Sequence, residues 1–454
     1  MQRFVFGIED LDKLLGTALV ENTLMVIAGH PGSGKTSLAS TICYNNALMG
    51  VKCLYISSQE DRDKLYRNMK KLGIDLEEIE KRNCFKFIKL PITVTEEGVE
   101  KMFMDAVNKY VIEFKPQVIV IDSATPFLKA MGAGIKARAI LQNFFTELPR
   151  VANGLVILIA EIPLSENRVE LGDIEFVADF VVILKHKVER GLITRLMEIR
   201  KVRGSPLTMA EIPFSIRENE GISVFISPVL GEIHESLKQL KIPCEKLVKA
   251  LNYLYKGDVI YLEYPAHHRH HQTAILIPLI SLVNDMKILF ISYKYSPLIL
   301  RTLFESIITN AGNVDLKNKF LGNVVFKGIN PFAYSVVEIN SLENKIVEDV
   351  KPDMVVFHGV EIPMSIYKLS TYVPHLYNQL LIFKNKGILA ARYASFINNE
   401  ISSINASLAD VVFKVITELS GMSLKTYIYA WRRGFDPAVL APMDIKECID
   451  QITG

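Results

Sequence analysis

The sequence predicts an α/β protein of two tandem domains, each a mostly parallel, twisted sheet flanked by helices. Short apolar runs of strand length alternate with longer segments of helical periodicity, which is the pattern of βαβ units. The chain has 454 residues, room for about two to three domains of roughly 100–200 residues each. Four landmarks of the first half recur in the same order in the second half, which indicates a tandem duplication. We therefore place the domains at residues 1–230 and 231–454, with the junction at 231–243.

The composition excludes several classes of protein. With 49% apolar and 22% charged residues, the chain is neither disordered nor fibrous. Its longest apolar runs, residues 155–160 and 274–283, fall short of the ~20 residues of a membrane-spanning helix. The N-terminus lacks the pattern of a secretory signal. We expect a cytoplasmic protein without membrane insertion.

The cysteines and the net charge further limit the classes of protein to which the chain can belong. The five cysteines are odd in number, widely spaced and without a CxxC pair, so we expect buried, reduced thiols; they are Cys43, Cys53, Cys84, Cys244 and Cys448. The formal net charge is +2, from 52 basic and 50 acidic residues, and neither half is a basic lobe. Bulk charge therefore gives no support to nonspecific binding of a nucleic-acid backbone.

The first apolar run ends in a complete phosphate-binding motif. Residues 24–28 (LMVIA) are typical of a strand buried on both faces, and residues 29–36 read GHPGSGKT, which is GxxxxGKT in full. The glycines let backbone N–H groups close around phosphate oxygens, Lys35 can reach the β and γ phosphates, and Thr36 can ligate Mg²⁺. A helix follows, and its N-terminus favours an anion. The predicted nucleotide-binding residues here are Gly29, His30, Pro31, Gly32, Ser33, Gly34, Lys35, Thr36 and Ser37.

Two further strand ends carry polar groups that such a site needs. A second predicted strand, residues 51–57, is followed by Gln59 and Glu60, where a group can orient water beside a γ phosphate. Glu60 as a solvated surface carboxylate is the alternative. A third strand runs into Asp122, as a Walker B strand must if its carboxylate is to hold the water shell of Mg²⁺. The predicted metal ligands are therefore Thr36 and Asp122.

The rest of the first half adds four predicted strands. Two are apolar throughout and two alternate, which favours antiparallel edge strands; they cover residues 154–160, 180–184, 192–199 and 212–225. The first of them ends at Glu161. Between the last two, residues 200–204 (RKVRG) form a predicted turn that presents Lys201 and Arg203. On its own such a turn is typical of a solvated hairpin.

Taken together, these motifs resemble the RecA superfamily in its KaiC-like branch. Residues 6–16 (FGIEDLDKLLG) are similar to the family's opening motif TGIxGLDxLLGGG. The P-loop, the YIS strand, the IDS of the Walker B strand, EFVAD at 175–179 and KxRG follow in family order. The resemblance implies two RecA-like domains, ATP and Mg²⁺ as cofactors, and a homo-oligomeric ring or filament with a hexamer favoured. It also implies ATP between subunits, with Lys201 and Arg203 reaching into a neighbour's site.

The chain departs from this family at the position of the catalytic base. The family carries Glu-Glu after its second strand, whereas this chain has Gln59 and Glu60. An amide can position water but cannot take its proton, so we expect hydrolysis to be slow or to depend on Glu60. The phosphoacceptor pair of the clock member is also absent, because Glu175 and Phe176 stand at its positions.

The second half reads as a worn copy of the first. Residues 351–359 (KPDMVVFHG) match 115–123 (KPQVIVIDS), with His358 in the place of Asp122. After the predicted strand at 259–262, neither glycine nor lysine stands where the P-loop belongs. Without them neither phosphate nor Mg²⁺ is held, so we expect no ATP hydrolysis in this half and a structural, assembly or regulatory role.

A histidine cluster follows that strand. It consists of His267, His268, His270 and His271. Imidazole suits Zn²⁺, Ni²⁺ or Cu²⁺, but no cysteine or carboxylate cluster closes a site nearby in the sequence. A metal site, an exposed or pH-responsive interaction loop, and a neutral relic of the P-loop all remain open.

Three functions fit these observations. The leading hypothesis is ATP binding with slow Mg²⁺-dependent hydrolysis in the N-terminal domain, driving assembly or regulation of a protein partner. The second is a nucleotide-gated scaffold in which occupancy rather than turnover matters, which Gln59 favours. The third is a DNA repair or recombination factor with residues 130–138 as a DNA loop. Two cations without aromatic neighbours give that loop little support.

Overall fold

The computed structural model describes residues 3–16, 18–90, 99–125, 135–162, 174–204, 210–226, 232, 238–266, 276–310, 314–420 and 423–453. The chain divides into two compact units, Met1–Ile226 and Ser227–Gly454. Each unit has its own mixed, mostly parallel sheet, with an apolar core on either face of that sheet. The predicted α/β class, with two tandem domains of this type, is confirmed.

The N-terminal unit is built on a nine-stranded sheet of order β3-β2-β4-β5-β1-β6-β7-β8-β9. Its strands are β1 (Thr23–Gly29), β2 (Cys53–Ser57), β3 (Phe85–Lys89), β4 (Val118–Asp122), β5 (Leu155–Glu161), β6 (Phe180–Glu189), β7 (Leu192–Val202), β8 (Glu211–Arg217) and β9 (Gly221–Val224). Its described helices are α1 (Glu9–Leu15), α2 (Lys35–Leu48), α3 (Arg62–Lys70), α4 (Leu76–Lys81), α5 (Val99–Phe114), α6 (Ile135–Ala152) and α7 (Ile174–Val177). The first six strands of the order pair in parallel, and β7, β8 and β9 add an antiparallel edge.

The apolar runs of the sequence become the central strands. Every residue of β1 is buried, because the sheet has a core on both faces and its middle strand has no solvated side. Residues 212–225, predicted as one strand, are two. Asn219 with φ of +60° and Gly221 with φ of +70° reverse the chain between β8 and β9. The predicted turn at 200–204 also begins later, because β7 continues through Val202.

The C-terminal unit repeats the same topology in eight strands, ordered β12-β11-β13-β14-β10-β15-β16-β17. They are β10 (Val259–Tyr264), β11 (Ile288–Ser292), β12 (Val324–Gly328), β13 (Met354–His358), β14 (Leu389–Ser395), β15 (Val411–Ser420), β16 (Ser423–Arg432) and β17 (Ala438–Leu440). Its described helices are α8 (Glu245–Leu251), α9 (Leu276–Val283), α10 (Pro297–Asn310), α11 (Val314–Asn323), α12 (Val336–Val350), α13 (Glu361–Ile366), α14 (Leu369–Asn385), α15 (Asn399–Leu408) and α16 (Pro442–Thr453), with a 3₁₀ turn at Pro331–Ala333. Strand for strand, this order matches that of the N-terminal unit except for β9.

The expectation of five reduced cysteines is wrong for two of them. Cys244 and Cys448 form a disulfide, with their Cα atoms 5.1 Å apart although 204 residues separate them in the sequence. The C-terminal helix α16 packs against α8, and this return of the chain brings the two cysteines together. Cys43 and Cys53 are free and buried, and Cys84 is free and partly buried.

No helix in the described part of the chain is both long enough and apolar enough to cross a membrane.

Candidate nucleotide site

The P-loop joins β1 to α2 at the centre of the N-terminal sheet. Gly32 and Gly34 have φ of +77° and +103°, in the left-handed region that glycine tolerates. A Cβ on Gly34 would lie 2.6 Å from Ile216 Cδ1, and a Cβ on Gly29 would lie 2.5 Å from the Leu184 carbonyl oxygen. Positive φ disfavours a side chain at Gly32 and Gly34, and the Leu184 carbonyl excludes one at Gly29, so the loop keeps its backbone N–H groups accessible to an anion.

The loop also contains a polar group that lacks a partner. Ser33 is buried, and its Oγ has no hydrogen bond within the described part of the chain. A buried hydroxyl without a partner costs free energy, and an incoming phosphate oxygen would satisfy it. Together with the glycines of the loop, this hydroxyl shows that the residues present fit a nucleotide phosphate.

Lys35 is folded back onto the loop. Its Nζ donates to the carbonyl oxygens of Gly29 at 2.9 Å and His30 at 3.0 Å. Burial lowers the pKa of Lys35, and the carboxylates of Glu161 and Asp122 oppose that shift. The ammonium thus lies inside the loop, where it can exchange carbonyl partners for phosphate oxygens.

The two predicted metal ligands lie side by side. Thr36 Oγ1 donates to Asp122 Oδ2 at 2.8 Å, and Tyr55 Oη donates to the same oxygen at 2.6 Å. Burial raises the pKa of Asp122, while these two hydrogen bonds oppose that rise. Hydroxyl and carboxylate oxygens are the ligands that Mg²⁺ prefers. Tyr55 is a residue that sequence reasoning missed, although it belongs to the YIS strand.

The remaining predicted loop residues occupy the rim of the site. His30 Nδ1 lies 3.2 Å from the Ile162 carbonyl oxygen, which ties the loop to the end of β5. Pro31 is exposed. The Ser37 carbonyl accepts a hydrogen bond from Thr41 Oγ1 at 2.8 Å within α2.

Gln59 and Glu60 have different partners. Gln59 Nε2 donates to Glu161 Oε1 at 3.2 Å. The Glu60 carboxylate lies 3.3 Å from Lys64 Nζ on α3, and its N–H donates to Ser57 Oγ at 2.9 Å. The structure therefore brings Gln59 together with the end of β5 and Glu60 together with α3.

Lys201 and Arg203 lie near the start of β1, whereas the P-loop follows its end. Lys201 Nζ donates to the carbonyl oxygens of Glu175 and Phe176, both at 3.0 Å. Arg203 donates to Asp179 Oδ1 at 3.1 Å and to the Phe176 carbonyl at 2.8 Å. The other Asp179 oxygen accepts from the N–H of Leu24, at the start of β1. The seven residues of β1, at roughly 3.3 Å each, therefore place Lys201 and Arg203 about 20 Å from the P-loop of their own chain.

In the C-terminal unit, side chains occupy the strand ends that correspond to the nucleotide site of the N-terminal unit. Tyr264 pairs with Ser395 in the register where Gly29 pairs with Glu161, and its side chain is buried. His358, at the Walker B position, is buried with Nδ1 3.0 Å from Ser292 Oγ. Lys294 Nζ donates to Ser395 Oγ at 2.8 Å and contacts the buried carboxylate of Glu361.

Two predicted segments lie wholly or mostly outside the described residues. His267–His271 are among those not described, and among the residues that the structure does describe there is no group of three or more His, Cys, Asp or Glu placed to hold a metal ion. Of the predicted DNA loop at 130–138, only the last residues are described, at the start of α6.

Comparison with known families agrees with this geometry. Residues 5–228 match a family model described as "ATPase: KaiC". The N-terminal unit is thus similar to the ATPase domain of KaiC. The matched segment coincides with the unit that holds the P-loop, Thr36 and Asp122 in one site.

Curated relatives are similar to this chain over segments of comparable length. They include circadian clock oscillator proteins KaiC from Parathermosynechococcus lividus, 28% identical over 204 residues, and Prochlorococcus marinus, 27% over 211 residues. A third, from Rippkaea orientalis, is 25% identical over 222 residues. The alignments cover 44%, 45% and 48% of this chain, but only 36%, 39% and 41% of the respective relatives. The chain thus matches less than half the length of these relatives.

Proposed function

We propose that the N-terminal unit binds ATP with Mg²⁺ at its P-loop and hydrolyses it slowly. The observation that carries this proposal is the 2.8 Å contact between Thr36 and Asp122 beside a loop that contains Lys35. Loop N–H groups, Ser33 and Lys35 would hold the phosphates, and Thr36 and Asp122 would hold the metal and its water. When bound, Mg²⁺ would supply positive charge to the β and γ phosphates.

We further propose that each ATP lies between two copies of the chain. Lys201 and Arg203 lie about 20 Å from their own P-loop by the rise of β1, so any action of theirs on ATP must be on a neighbour's. Such pairing repeats head to tail and builds a ring or a filament. A hexameric ring is our preferred assembly.

The test is chromatography with light scattering, with and without ATP and Mg²⁺, alongside measured phosphate release. We expect a larger assembly with nucleotide and measurable, slow release of phosphate. A monomer under all conditions would contradict the shared site, and absence of ATP binding would contradict the function itself.

A mixing experiment tests the shared site directly. Arg203→Ala is expected to impair turnover, as is Lys35→Ala, because each removes one side of the composite site. Mixing the two should recover part of the activity, since some interfaces then pair an intact P-loop with an intact cation. The measurement is phosphate release from the mixed oligomer, with Arg433→Ala as the matched control in the C-terminal unit. Mixed oligomers that form and show no recovery would argue against an intersubunit site.

A second candidate is a nucleotide-gated scaffold for an unidentified protein partner. It is favoured by the amide of Gln59 at the position of the family's base, and by the pairing of Glu60 with Lys64 at 3.3 Å. The filled strand ends of the C-terminal unit suit a role in assembly rather than in turnover. Assembly driven by ATP without phosphate release would select this candidate.

A further inference from the structure

Resting on the proposed ATPase function, we propose that Glu161 is the carboxylate that accepts the proton of the attacking water. Gln59 is then the positioning residue that orients the Glu161 carboxylate. This assigns the base to the end of β5 rather than to Glu60 after β2.

The backbone of Glu161 is fixed against the P-loop. In the β1–β5 pairing, Glu161 lies opposite Gly29, the first residue of the loop. Its N–H donates to Thr125 Oγ1 at 2.7 Å, and the next N–H, of Ile162, donates to the Gly29 carbonyl at 3.1 Å. The end of β5 is therefore held beside the loop that would bind the phosphates.

The side chain of Glu161 is oriented by an uncharged donor. Gln59 Nε2 donates to Oε1 at 3.2 Å, which leaves Oε2 available as an acceptor. The Glu161 carboxylate is close enough to the Lys35 ammonium for their charges to interact, as is the Asp122 carboxylate.

Glu60 is less suited to the same task. Its carboxylate lies 3.3 Å from the ammonium of Lys64, one helical turn along the chain. This pairing holds the Glu60 carboxylate against α3, whereas Glu161 lies opposite Gly29 of the P-loop. The Glu60 N–H is bound to Ser57 Oγ at 2.9 Å, which ties it to the strand end.

The C-terminal unit provides an internal comparison. Ser395 occupies the strand position of Glu161, and Lys294 that of Gln59, and these two side chains keep the same contact at 2.8 Å. The contact between the two strand ends recurs in both units, but at the end of the β5 equivalent Ser395 stands in place of the Glu161 carboxylate, and the carboxylate that Lys294 contacts is Glu361 on α13.

The chemical step balances with the groups named. The oxygen of the water forms a bond to the γ phosphorus while the bond from that phosphorus to the bridging oxygen of ADP breaks. The proton of the water passes to Glu161 Oε2 and is returned to solvent after phosphate leaves. Gln59 takes no proton and keeps the carboxylate in place.

The experiment compares Glu161→Gln with Glu60→Gln in the full chain. We expect Glu161→Gln to lower kcat by about 10²–10⁴-fold with little change in the Kd for ATP. Glu60→Gln should lower kcat far less, and Glu147→Gln, an exposed glutamate on α6, is the control. A large loss in Glu60→Gln together with a mild one in Glu161→Gln would overturn the assignment. Absence of ATP hydrolysis in the wild type would instead contradict the proposed function.

The role of Gln59 has a separate readout. Gln59→Glu places a second carboxylate about where the amide now lies, and like charges raise the pKa of one member of such a pair. We expect the acid limb of the pH–rate profile to move to higher pH, and the carboxyl ¹³C titration of Glu161 in the nucleotide-free protein to move with it. Gln59→Leu should lower kcat more than it changes KM. An unchanged titration of Glu161 in both variants would contradict the positioning role.

Discussion

Lys35→Ala is expected to abolish ATP binding. The Lys35 ammonium lies within the P-loop, 2.9 and 3.0 Å from two of its carbonyl oxygens, and it is the side chain placed to meet the β and γ phosphates. Each hydrogen bond to a charged group is worth about 1.5–3 kcal/mol, so losing two should weaken binding by about 10²-fold or more. Isothermal titration with ATP and Mg²⁺ measures the loss.

Lys13→Ala is the control for this variant. Lys13 is an exposed lysine on α1, paired with Glu9 at 2.8 Å, and its loss should leave the affinity for ATP unchanged. Thermal unfolding of both variants establishes that they fold. Wild-type affinity in a folded Lys35→Ala protein would contradict the site assignment.

Arg432→Met is expected to destabilise the C-terminal unit by about 3–5 kcal/mol, the usual cost of removing one partner of a buried ion pair. Arg432 NH1 and NH2 donate to the two oxygens of Asp258 at 2.7 and 3.2 Å, with both side chains under 10% exposed. Its guanidinium also stacks on Tyr253, 4.1 Å from the ring centroid. The variant leaves the Asp258 carboxylate buried without its cation. The chain has one tryptophan, Trp431, so its fluorescence during denaturation reports on this unit.

A neighbouring arginine provides the matched control. Arg433 is exposed and donates to main-chain carbonyls, among them that of Ala409 at 2.9 Å, so Arg433→Met should cost about 1 kcal/mol. Adding Asp258→Asn to Arg432→Met should recover part of the lost stability, because the uncompensated charge is removed with it. Equal stabilities of the two arginine variants would show that burial of the Asp258 pair does not stabilise the unit as argued.

The sequence predicts the parts of the site that lie at strand ends. Lys35, Thr36 and Asp122 follow buried apolar runs in a fixed motif, and parallel strands deliver their carboxyl ends to one edge of the sheet. That reasoning needs only local pattern and strand direction. It also anticipates the second domain, because its apolar strands keep their order although the P-loop is gone.

Local pattern and strand direction do not predict contacts between residues that are far apart in the sequence. The hydrogen bond from Gln59 to Glu161 joins residues 102 positions apart, and no spacing rule selects one strand end over another. Arg392 is 1% exposed and bound to Asn405 Oδ1 at 3.1 and 3.0 Å, whereas an isolated arginine in a sequence indicates a surface position. The late start of the turn after Val202 depends on how long β7 pairs with β6, which propensity does not set.

The disulfide between Cys244 and Cys448 makes residues 244–448 a covalently closed loop. A protease that cuts this loop once opens it without releasing a fragment, since both pieces stay joined through sulfur. On a denaturing gel such a nicked chain runs as one molecule until a reductant is added, and then separates into two bands. Cuts before Cys244 release a fragment with or without reductant. Comparing reduced and non-reduced gels after limited proteolysis therefore shows whether the chain was first cut before Cys244 or within the closed loop.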